Sequence, residues 1–436
     1  MLHRRAKIVC TLGPASNTEE GIRGLIESGM DVARLNFSHG RVDEHRATLE
    51  RVRAAARAAG RPVAVLQDLC GPKIRTGDFG PSAVASGSEI DLVSGNRGDE
   101  TTVAVDYPGL ERDVRVGDRV LLGDGAIELT VREIRGDRVR CSVEHGGPLR
   151  TRMGVNLPSR SLSLSALTPK DEQDVEIGLA MGVDYIGLSF VRAAVDVETL
   201  RALCARSGRP TPIVAKIETT QAVEQLESVV RVSDAIMVAR GDLGVELPPE
   251  SVPVIQRQII GVCRRHKKPV IVATEMLQSM TESPRPTRAE TSDVAGAVFG
   301  GADAVMLSAE TATGRYPTRA CRMMDRIIRQ AETSQFFDPL PSDPDGTTPE
   351  AIATAACDIA RQVGAKLIVA LTESGTTARL VSKARPTVPI VAVSPSEATL
   401  SRLSLYWGVT PHPTDGLGSA QNFAEFIRKT GRILSA

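Results

Sequence analysis

The sequence predicts an α/β protein in which a barrel of eight parallel strands and their helices, a (β/α)8 barrel, carries an inserted β domain and a C-terminal α/β domain. Eight short apolar segments alternate with amphipathic stretches over residues 7–70 and 170–334. Near-continuous apolar strands are typical of a parallel sheet covered on both faces. A stretch rich in turn signals interrupts the alternation after the third segment, and a second α/β pattern follows residue 349.

The candidate barrel strands are short runs of β-branched and aliphatic residues. They are residues 7–13, 31–38, 63–69, 185–190, 212–218, 235–242, 269–276 and 304–311. Helical stretches lie between them, such as residues 18–28, which end at Gly29, and residues 286–299, which end at Gly300. We therefore assign residues 1–71 and 168–334 to the barrel.

The interrupting stretch, residues 72–167, carries Gly-Asp dipeptides at 98, 117 and 136 between short alternating segments such as RVLL and RVRCSV. This pattern predicts a small β-barrel. Its position after the third strand makes it a lid over the face where the barrel strands end. Residues 336–349 are rich in Pro, Asp and Gly and indicate a linker. Residues 335–436 form the third, α/β domain.

Composition excludes several classes of function. The 53 basic and 53 acidic residues cancel, so we expect neither nucleic-acid binding nor binding to an anionic membrane. The 7 cysteines are scattered without a C-x-x-C pair, which argues against a disulfide framework or a structural metal. No apolar run approaches the ~20 residues that cross a bilayer, and the N-terminus lacks the apolar core of a secretory signal. We expect a soluble, cytoplasmic protein.

Polar side chains concentrate where the candidate strands end. In a parallel barrel these ends share one mouth. Any one of the residues could merely cap a helix or satisfy a backbone group, but so many charged groups near a barrel core are costly unless they are used or paired. The residues are Arg34, Asn36, Ser38, Asp68, Lys216, Glu218, Asp242, Thr274, Ser308 and Glu310.

Two of these residues suggest a metal site. Glu218 and Asp242 end adjacent strands and supply the oxygen ligands that Mg2+, or Mn2+, prefers, with water completing the shell. Lys216 and Arg34 could bracket a phosphoryl group beside a metal-stabilised enolate. Because neither a P-loop nor a G-x-G-x-x-G motif occurs, nucleotide phosphates would depend on side chains and the metal.

The runs KIVCTLGP, RLNFSHG, GPKIRTG, IMVARGDLGVE, PRPTRAE and AVMLSAETATG, in this order and spacing, resemble those of pyruvate kinases over nearly the whole chain. The resemblance implies a catalytic TIM barrel, an inserted β lid and a C-terminal regulatory domain, assembled as a homotetramer, with a dimer as the alternative. It implies transfer of the phosphoryl group of phosphoenolpyruvate to ADP, which gives pyruvate and ATP in the last step of glycolysis.

The resemblance also implies roles for residues that bind the substrate and the metal. Arg34 would hold the phosphoryl group, and Lys216 would neutralise its charge during transfer. Glu218 and Asp242 would bind Mg2+, and the backbone amides of Gly241 and Asp242 would contact the substrate carboxylate.

A second set of implied roles concerns the proton and the nucleotide. Thr274 would lie over the enolate, where a water or hydroxyl relay delivers the proton. Arg75 and Lys170, with Asn36, would contact the nucleotide phosphates as the lid closes and excludes water.

One departure from the family concerns potassium. Many pyruvate kinases hold K+ near the residues that correspond to Asn36, Ser38, Asp68 and Leu69, and carry Glu where this chain has Lys73. A tethered ammonium can take the place of a monovalent cation. We therefore expect an enzyme that does not require K+; a surface lysine without a role is the alternative.

Two further departures lie beside the predicted site. The resemblance leads us to expect Gln where Glu275 follows Thr274, and strand parity would turn the Glu275 side chain to the opposite face, which favours a structural role. Cys70, in the lid hinge, is expected to be a small neutral residue rather than a redox switch.

The last departure lies in the C-terminal domain. The loop formed by Thr372, Ser374, Gly375, Thr376 and Thr377 precedes a helix and could bind an effector phosphate, as it does in the family. A plain helix N-cap is equally compatible. The chain stops at FAEFIRKTGRILSA, where relatives continue through further strands, so we do not expect a response to fructose 1,6-bisphosphate; a reduced response to another sugar phosphate or to AMP stays open.

Two other functions remain as alternatives. A barrel aldolase or lyase that forms a metal-bound enolate shares the paired acids but would not need Arg34, Lys73, Arg75 and Lys170 together, nor the lid. A catalytically silent homologue would have lost Lys216 or an acid of the metal site, and all of these are present.

Overall fold

The computed structural model describes residues 4–78, 82–158, 164–339 and 346–414. Eight parallel strands close into a barrel, which confirms the predicted fold class. Each strand pairs with the next along the chain, and the first pairs with the eighth through Lys7 and Ala304. The barrel strands are Lys7–Thr11, Val32–Asn36, Ala64–Asp68, Tyr185–Leu188, Ile213–Ile217, Ala235–Ala239, Val270–Ala273 and Ala304–Leu307.

Helices surround the barrel, and several begin at side-chain caps. The Thr18 hydroxyl accepts from the Gly21 amide, and Thr287 forms a capping box with Glu290. The α-helices are Glu19–Glu27, Val42–Ala58, Pro169–Met181, Ala194–Arg206, Thr220–Glu224, Leu226–Val232, Arg240–Glu246, Val252–Arg265, Arg288–Phe299, Ala309–Ala312 and Pro317–Glu332, and short 3-10 helices span Pro249–Ser251 and Gln278–Thr281.

The sixth and eighth strands end earlier than the sequence predicts. They end at Ala239 and Leu307, because the next residues begin the short helices Arg240–Glu246 and Ala309–Ala312. Asp242 and Glu310 are therefore presented by helices, not by strand ends.

The insertion forms a six-stranded sheet and a two-stranded sheet. The edge strands of the larger sheet are Thr102–Val105 and Val155–Asn156. The segment that enters the lid from the barrel lies between these edges, because Thr76 forms a β-bridge with Val105 and Arg75 forms one with Gly154. The two bridges bring the edges of the larger sheet toward each other. Its other strands are Ala83–Val84, Glu89–Ser94, Arg119–Leu122, Ile127–Arg135, Arg138–His145 and Gly147–Pro148, with one helix, Leu110–Asp113.

The C-terminal domain has three parallel strands, in the order Ile368–Leu371, Ile390–Ser394 and Val409–Pro413. Its helices are Thr348–Gln362, Thr376–Lys383 and Glu397–Leu403. The predicted early end of this domain lies in residues 415–436, outside the described residues. Across the described ranges, no helix combines the length and the apolar character that a membrane span needs.

The C-terminal domain packs against the amino-terminal ends of the barrel strands, opposite the lid. Lys7 Nζ donates to the Val409 carbonyl at 2.7 Å, and Lys383 Nζ lies 2.6 Å from Asp303 Oδ2. Leu405 belongs to the apolar cluster inside the barrel. The lid and the C-terminal domain thus lie at opposite ends of the barrel.

Candidate active site

Lys216 is the centre of a buried charged cluster where the strands end. Its ammonium nitrogen lies 2.8 Å from Glu218 Oε1 and 3.3 Å from Asp68 Oδ1, and it donates to Ser189 Oγ at 2.8 Å. Although burial alone would lower it, Asp68 and Glu218 hold the pKa of Lys216 above its usual value. The lysine therefore carries a positive charge at neutral pH.

Arg34 reaches the same cluster from the second strand. Its Nε donates to Asp68 Oδ2 at 2.7 Å, and its NH1 donates to Thr11 Oγ1 at 2.9 Å. Thr11 in turn donates to the Leu307 carbonyl at 2.9 Å. The Arg34 side chain, which is 11% exposed, is thus oriented by Asp68 and Thr11 from the two neighbouring strands.

Glu218 and Asp242 form the predicted pair of acids. Burial raises the pKa of Glu218, and the negative charge of Asp242 adds to that rise while Lys216 opposes it. Asp242 therefore lies close enough to Glu218 for its charge to act on that carboxylate. Apart from the adjacent Lys216, the buried Glu218 Oε1 has no hydrogen-bond partner among the described residues.

These two acids fit a divalent cation that keeps much of its water. No group of three or more His, Cys, Asp and Glu side chains with metal-binding geometry occurs within residues 4–78, 82–158, 164–339 and 346–414. Two carboxylate oxygens plus water are what Mg2+ commonly receives from a protein, so the residues present fit the predicted metal.

Thr274 lies across the cleft in a strained backbone conformation. Its φ is 69°, a region that β-branched residues seldom adopt. Its hydroxyl donates to the Ala273 carbonyl at 2.6 Å and accepts from the Gly241 amide at 2.8 Å. Arg240 supports this turn by donating to the Thr274 carbonyl at 2.6 Å. The Gly241 amide predicted to bind substrate is therefore occupied by Thr274.

A cleft of about 680 Å3 between lid and barrel contains Asp242, Thr274, Ser308, the lid residue Asp124, and Lys73. The exposed Lys73 side chain makes no hydrogen bond or ion pair to a described residue.

Glu275 lines the same cleft. The expectation that parity turns Glu275 away from Thr274 is wrong, because the strand ends at Ala273 and Glu275 also adopts a left-handed φ, of 55°.

The other predicted residues lie around this cluster without joining it. Lys170 donates to the Phe37 carbonyl at 3.1 Å, in the turn where Asn36 Oδ1 accepts from the Ser38 amide. Arg75 donates to the Arg152 carbonyl at the base of the lid. Leu69 is buried, and its carbonyl accepts from Ser189 Oγ. Cys70 is a half-buried free thiol.

The predicted effector loop lies in the C-terminal domain. Gly375 has a φ of 89° and precedes the helix Thr376–Lys383. The Thr372 hydroxyl accepts from the Gly375 amide at 2.9 Å, and the Ser374 and Thr376 hydroxyls lie 3.0 Å apart. Thr377 is exposed. The geometry is that of a helix start and is compatible with both the N-cap and the phosphate-loop interpretations.

Sequence reasoning missed three residues that orient the cluster. Thr11 and Ser189 lie at the ends of the first and fourth strands, the two strands for which we named no polar residue. Applying the same end-of-strand rule to all eight strands would have found them. The third, Phe190, contributes a backbone amide to Glu218 Oε2 at 2.8 Å, and no side-chain pattern signals that contact.

Comparison with known proteins agrees with this architecture. The family model described as pyruvate kinase, barrel domain, matches residues 3–321, and the one described as pyruvate kinase, alpha/beta domain, matches residues 350–435. A pyruvate kinase of Mycobacterium intracellulare is 46% identical, over 99% of this chain and 93% of the relative. One of Agrobacterium vitis is 48% identical, over 93% and 86%.

Solved structures lead to the same family. A crystal structure of a pyruvate kinase from Cryptosporidium parvum superposes with a TM-score of 0.92 and 37% identity, and the match covers 98% of this chain and 91% of that one. The matched regions include the barrel, the lid and the charged cluster around Lys216. The chain belongs to the pyruvate kinase family.

Proposed function

We propose that this protein is a magnesium-dependent phosphotransferase that converts phosphoenolpyruvate and ADP to pyruvate and ATP. The observation that carries the proposal is the buried cluster at the barrel mouth, in which Asp68 contacts both Arg34 and Lys216. Lys216 also contacts Glu218, and Asp242 lines the cleft beneath the lid. A barrel lyase that forms an enolate would need the acids but not both cations.

Each side chain has a distinct task in the proposed transfer. Arg34, held by Asp68 and Thr11, binds the substrate phosphoryl group. Lys216 neutralises the charge that this group carries as it moves to ADP. Glu218 and Asp242 would hold Mg2+, which, when bound, polarises the substrate oxygens and stabilises the enolate.

Residues on the other side of the cleft, around Thr274, would protonate the enolate carbon. The Thr274 hydroxyl, fixed by the Ala273 carbonyl and the Gly241 amide, orders the group that delivers the proton. Because the Gly241 amide is engaged there, the Asp242 amide is the better candidate for the substrate carboxylate. Lys170 and Arg75, with Asn36, would reach the nucleotide phosphates only after the lid moves.

Four finer features belong to the same proposal. Lys73 would replace K+, the loop Thr372 to Thr377 would receive an effector phosphate, the chain would assemble as a homotetramer or a dimer, and it would act in the cytoplasm. The position of Lys73 in the cleft supports the first, and the Gly375 helix start supports the second.

A coupled assay tests the reaction directly. Purified protein, phosphoenolpyruvate and ADP are combined with lactate dehydrogenase and NADH, with and without Mg2+. We expect pyruvate-dependent NADH oxidation and ATP formation that both require Mg2+. Pyruvate formation without ATP would favour a lyase or phosphatase, and no turnover would favour the silent homologue.

A further inference from the structure

One buried carboxylate holds both chain segments that connect the lid to the barrel. The Gly71 amide, at the start of the lid, donates to Asp171 Oδ1 at 3.1 Å. Thr168, where the chain returns, donates to Asp171 Oδ2 from its amide at 3.0 Å and from its hydroxyl at 2.6 Å. Asp171 is completely buried. The two connectors are therefore joined at a common hinge point.

The hinge packs directly on the turn after the fourth barrel strand. Gly71 has a φ of +69°, and a Cβ placed on it would lie 2.8 Å from Phe190 Cδ2 and 3.0 Å from Ser189 Cβ. No side chain fits there. Phe190 itself has a φ of 53°, unusual for an aromatic residue, so its surroundings hold this conformation in place.

The same two residues hold two groups of the active site. The Phe190 amide donates to Glu218 Oε2 at 2.8 Å. The Ser189 hydroxyl donates to the Leu69 carbonyl at 2.7 Å and accepts from Lys216 Nζ at 2.8 Å. The Phe190 ring also lines a small cavity against the lid residues Ile74 and Val155. A shift of the hinge therefore presses on residues that orient Glu218 and Lys216.

We propose that Phe190 is a positioning residue that couples the lid hinge at Gly71 to the metal-binding carboxylate of Glu218. The proposal rests on the metal site of the proposed function. The position of the lid sets the orientation of Glu218 and hence its affinity for a divalent cation. Because such coupling is reciprocal, a cation bound by Glu218 favours one position of the lid.

The test compares two glycine substitutions with the same backbone strain. Gly71→Ala introduces a methyl group against Phe190, whereas Gly60→Ala, at φ +58°, meets nothing within 4 Å. Mn2+ binding to the full-length protein is measured by electron paramagnetic resonance without substrates. We expect Gly71→Ala to weaken Mn2+ binding roughly 5-fold or more and Gly60→Ala to leave it unchanged.

Removing the ring identifies Phe190 as the link. On a Phe190→Ala background, the Gly71→Ala change is expected to alter Mn2+ affinity less than about twofold, because the two effects are not additive when one depends on the other. Equal losses on both backgrounds, or equal affinities for Gly71→Ala and Gly60→Ala, would overturn the coupling.

A second variant covers the case in which Gly71→Ala does not fold. Phe190→Gly keeps the left-handed backbone and the amide but lacks the ring. At saturating Mn2+, the cation should change the rate of tryptic cleavage after Lys73, next to the hinge, in the wild type but not in Phe190→Gly. An unchanged rate in the wild type, or a persisting change in the variant, would contradict the proposal. A wild type that binds no Mn2+ would overturn the coupling, whereas one that binds Mn2+ but forms no ATP would count against the proposed function alone.

Discussion

Asp68 accepts a hydrogen bond from Arg34 Nε at 2.7 Å, and the structure gives it no exposed surface. Its other oxygen lies 3.3 Å from the Lys216 ammonium. Although burial would raise it, Lys216 and Arg34 hold the pKa of Asp68 below its usual value. One buried acid thus orients the two cations that the proposed transfer requires.

We expect Asp68→Asn to damage binding of phosphoenolpyruvate, because the amide is isosteric but cannot balance two cations. The loss in kcat/KM should be roughly 10- to 100-fold, as expected when a charged group that is buried and hydrogen-bonded loses its partner. Steady-state kinetics with varied phosphoenolpyruvate measures it. An unchanged KM for this substrate would show that Arg34 does not depend on Asp68.

Lys216→Met should abolish most of the catalytic rate. Loss of one preorganised charge at the reacting group typically costs ~10^2- to 10^3-fold in kcat, and Met retains the length of the aliphatic stem. Lys170→Met is the matched control, since Lys170 contacts Phe37 and Asp174 rather than the cluster. It should raise the KM for ADP and change kcat less. Equal losses of kcat in the two variants would contradict the proposed roles.

Thr274 offers a test of the proton-delivery side. Thr274→Val keeps the shape but removes the hydroxyl, so the Gly241 amide loses its acceptor; we expect kcat to fall roughly 10^2-fold. Thr274→Ser retains the hydroxyl and should keep most of the activity. Exchange of the methyl protons of pyruvate with deuterium in D2O reports this step separately from phosphoryl transfer. A Thr274→Val enzyme with normal exchange would exclude Thr274 from the relay.

Lys73 should determine how the activity responds to monovalent cations. The wild type should be active in tetramethylammonium buffer without Na+ or K+. Lys73→Glu should lose activity there and regain it with K+, because a carboxylate in the cleft attracts the cation that the ammonium had replaced. Lys73→Met removes the ammonium without adding a carboxylate, so its activity without K+ shows whether loss of the positive charge alone is sufficient. Wild-type activity at background level without K+ would refute the hypothesis.

The buried Lys7 should make the free energy of unfolding depend on pH. Burial lowers the pKa of Lys7 to about 8, below the unfolded value of about 10.4. Between these values the unfolded chain binds the extra proton, so the free energy of unfolding rises with pH. Relative to Lys7→Met, the wild type should gain on the order of 2 kcal/mol from pH 7.5 to 9.5. Denaturant titrations at both pH values measure this gain. An equal change in the free energy of unfolding of the wild type and of Lys7→Met would contradict the lowered pKa.

The alternation of apolar strands and amphipathic helices predicted the barrel because each strand is buried on both faces. Parity along the second strand placed Arg34 and Asn36 correctly on the side that remains partly exposed. It failed at Glu275, where two successive left-handed residues break the alternation. Side chains alternate between the two faces of a strand only where the backbone is extended.

Interactions through the backbone could not be predicted in the same way. The bond between the Phe190 amide and Glu218 depends on a φ that the residue type disfavours, so the sequence argues against it. Asp171 joins segments almost one hundred residues apart. Its bonds to Thr168 form a capping box at the start of the helix Pro169–Met181, but no local pattern predicts its bond to Gly71. Such contacts follow from the tertiary fold, not from local patterns.

Leu405 has a consequence for how the chain can be divided. This C-terminal side chain occupies the interior of the barrel, beside Tyr185, whose hydroxyl donates to the Arg402 carbonyl. A barrel separated from the C-terminal domain would therefore lose the side chain that closes its amino-terminal end. Water would enter from below, and the catalytic portion is not expected to survive as an autonomous fragment.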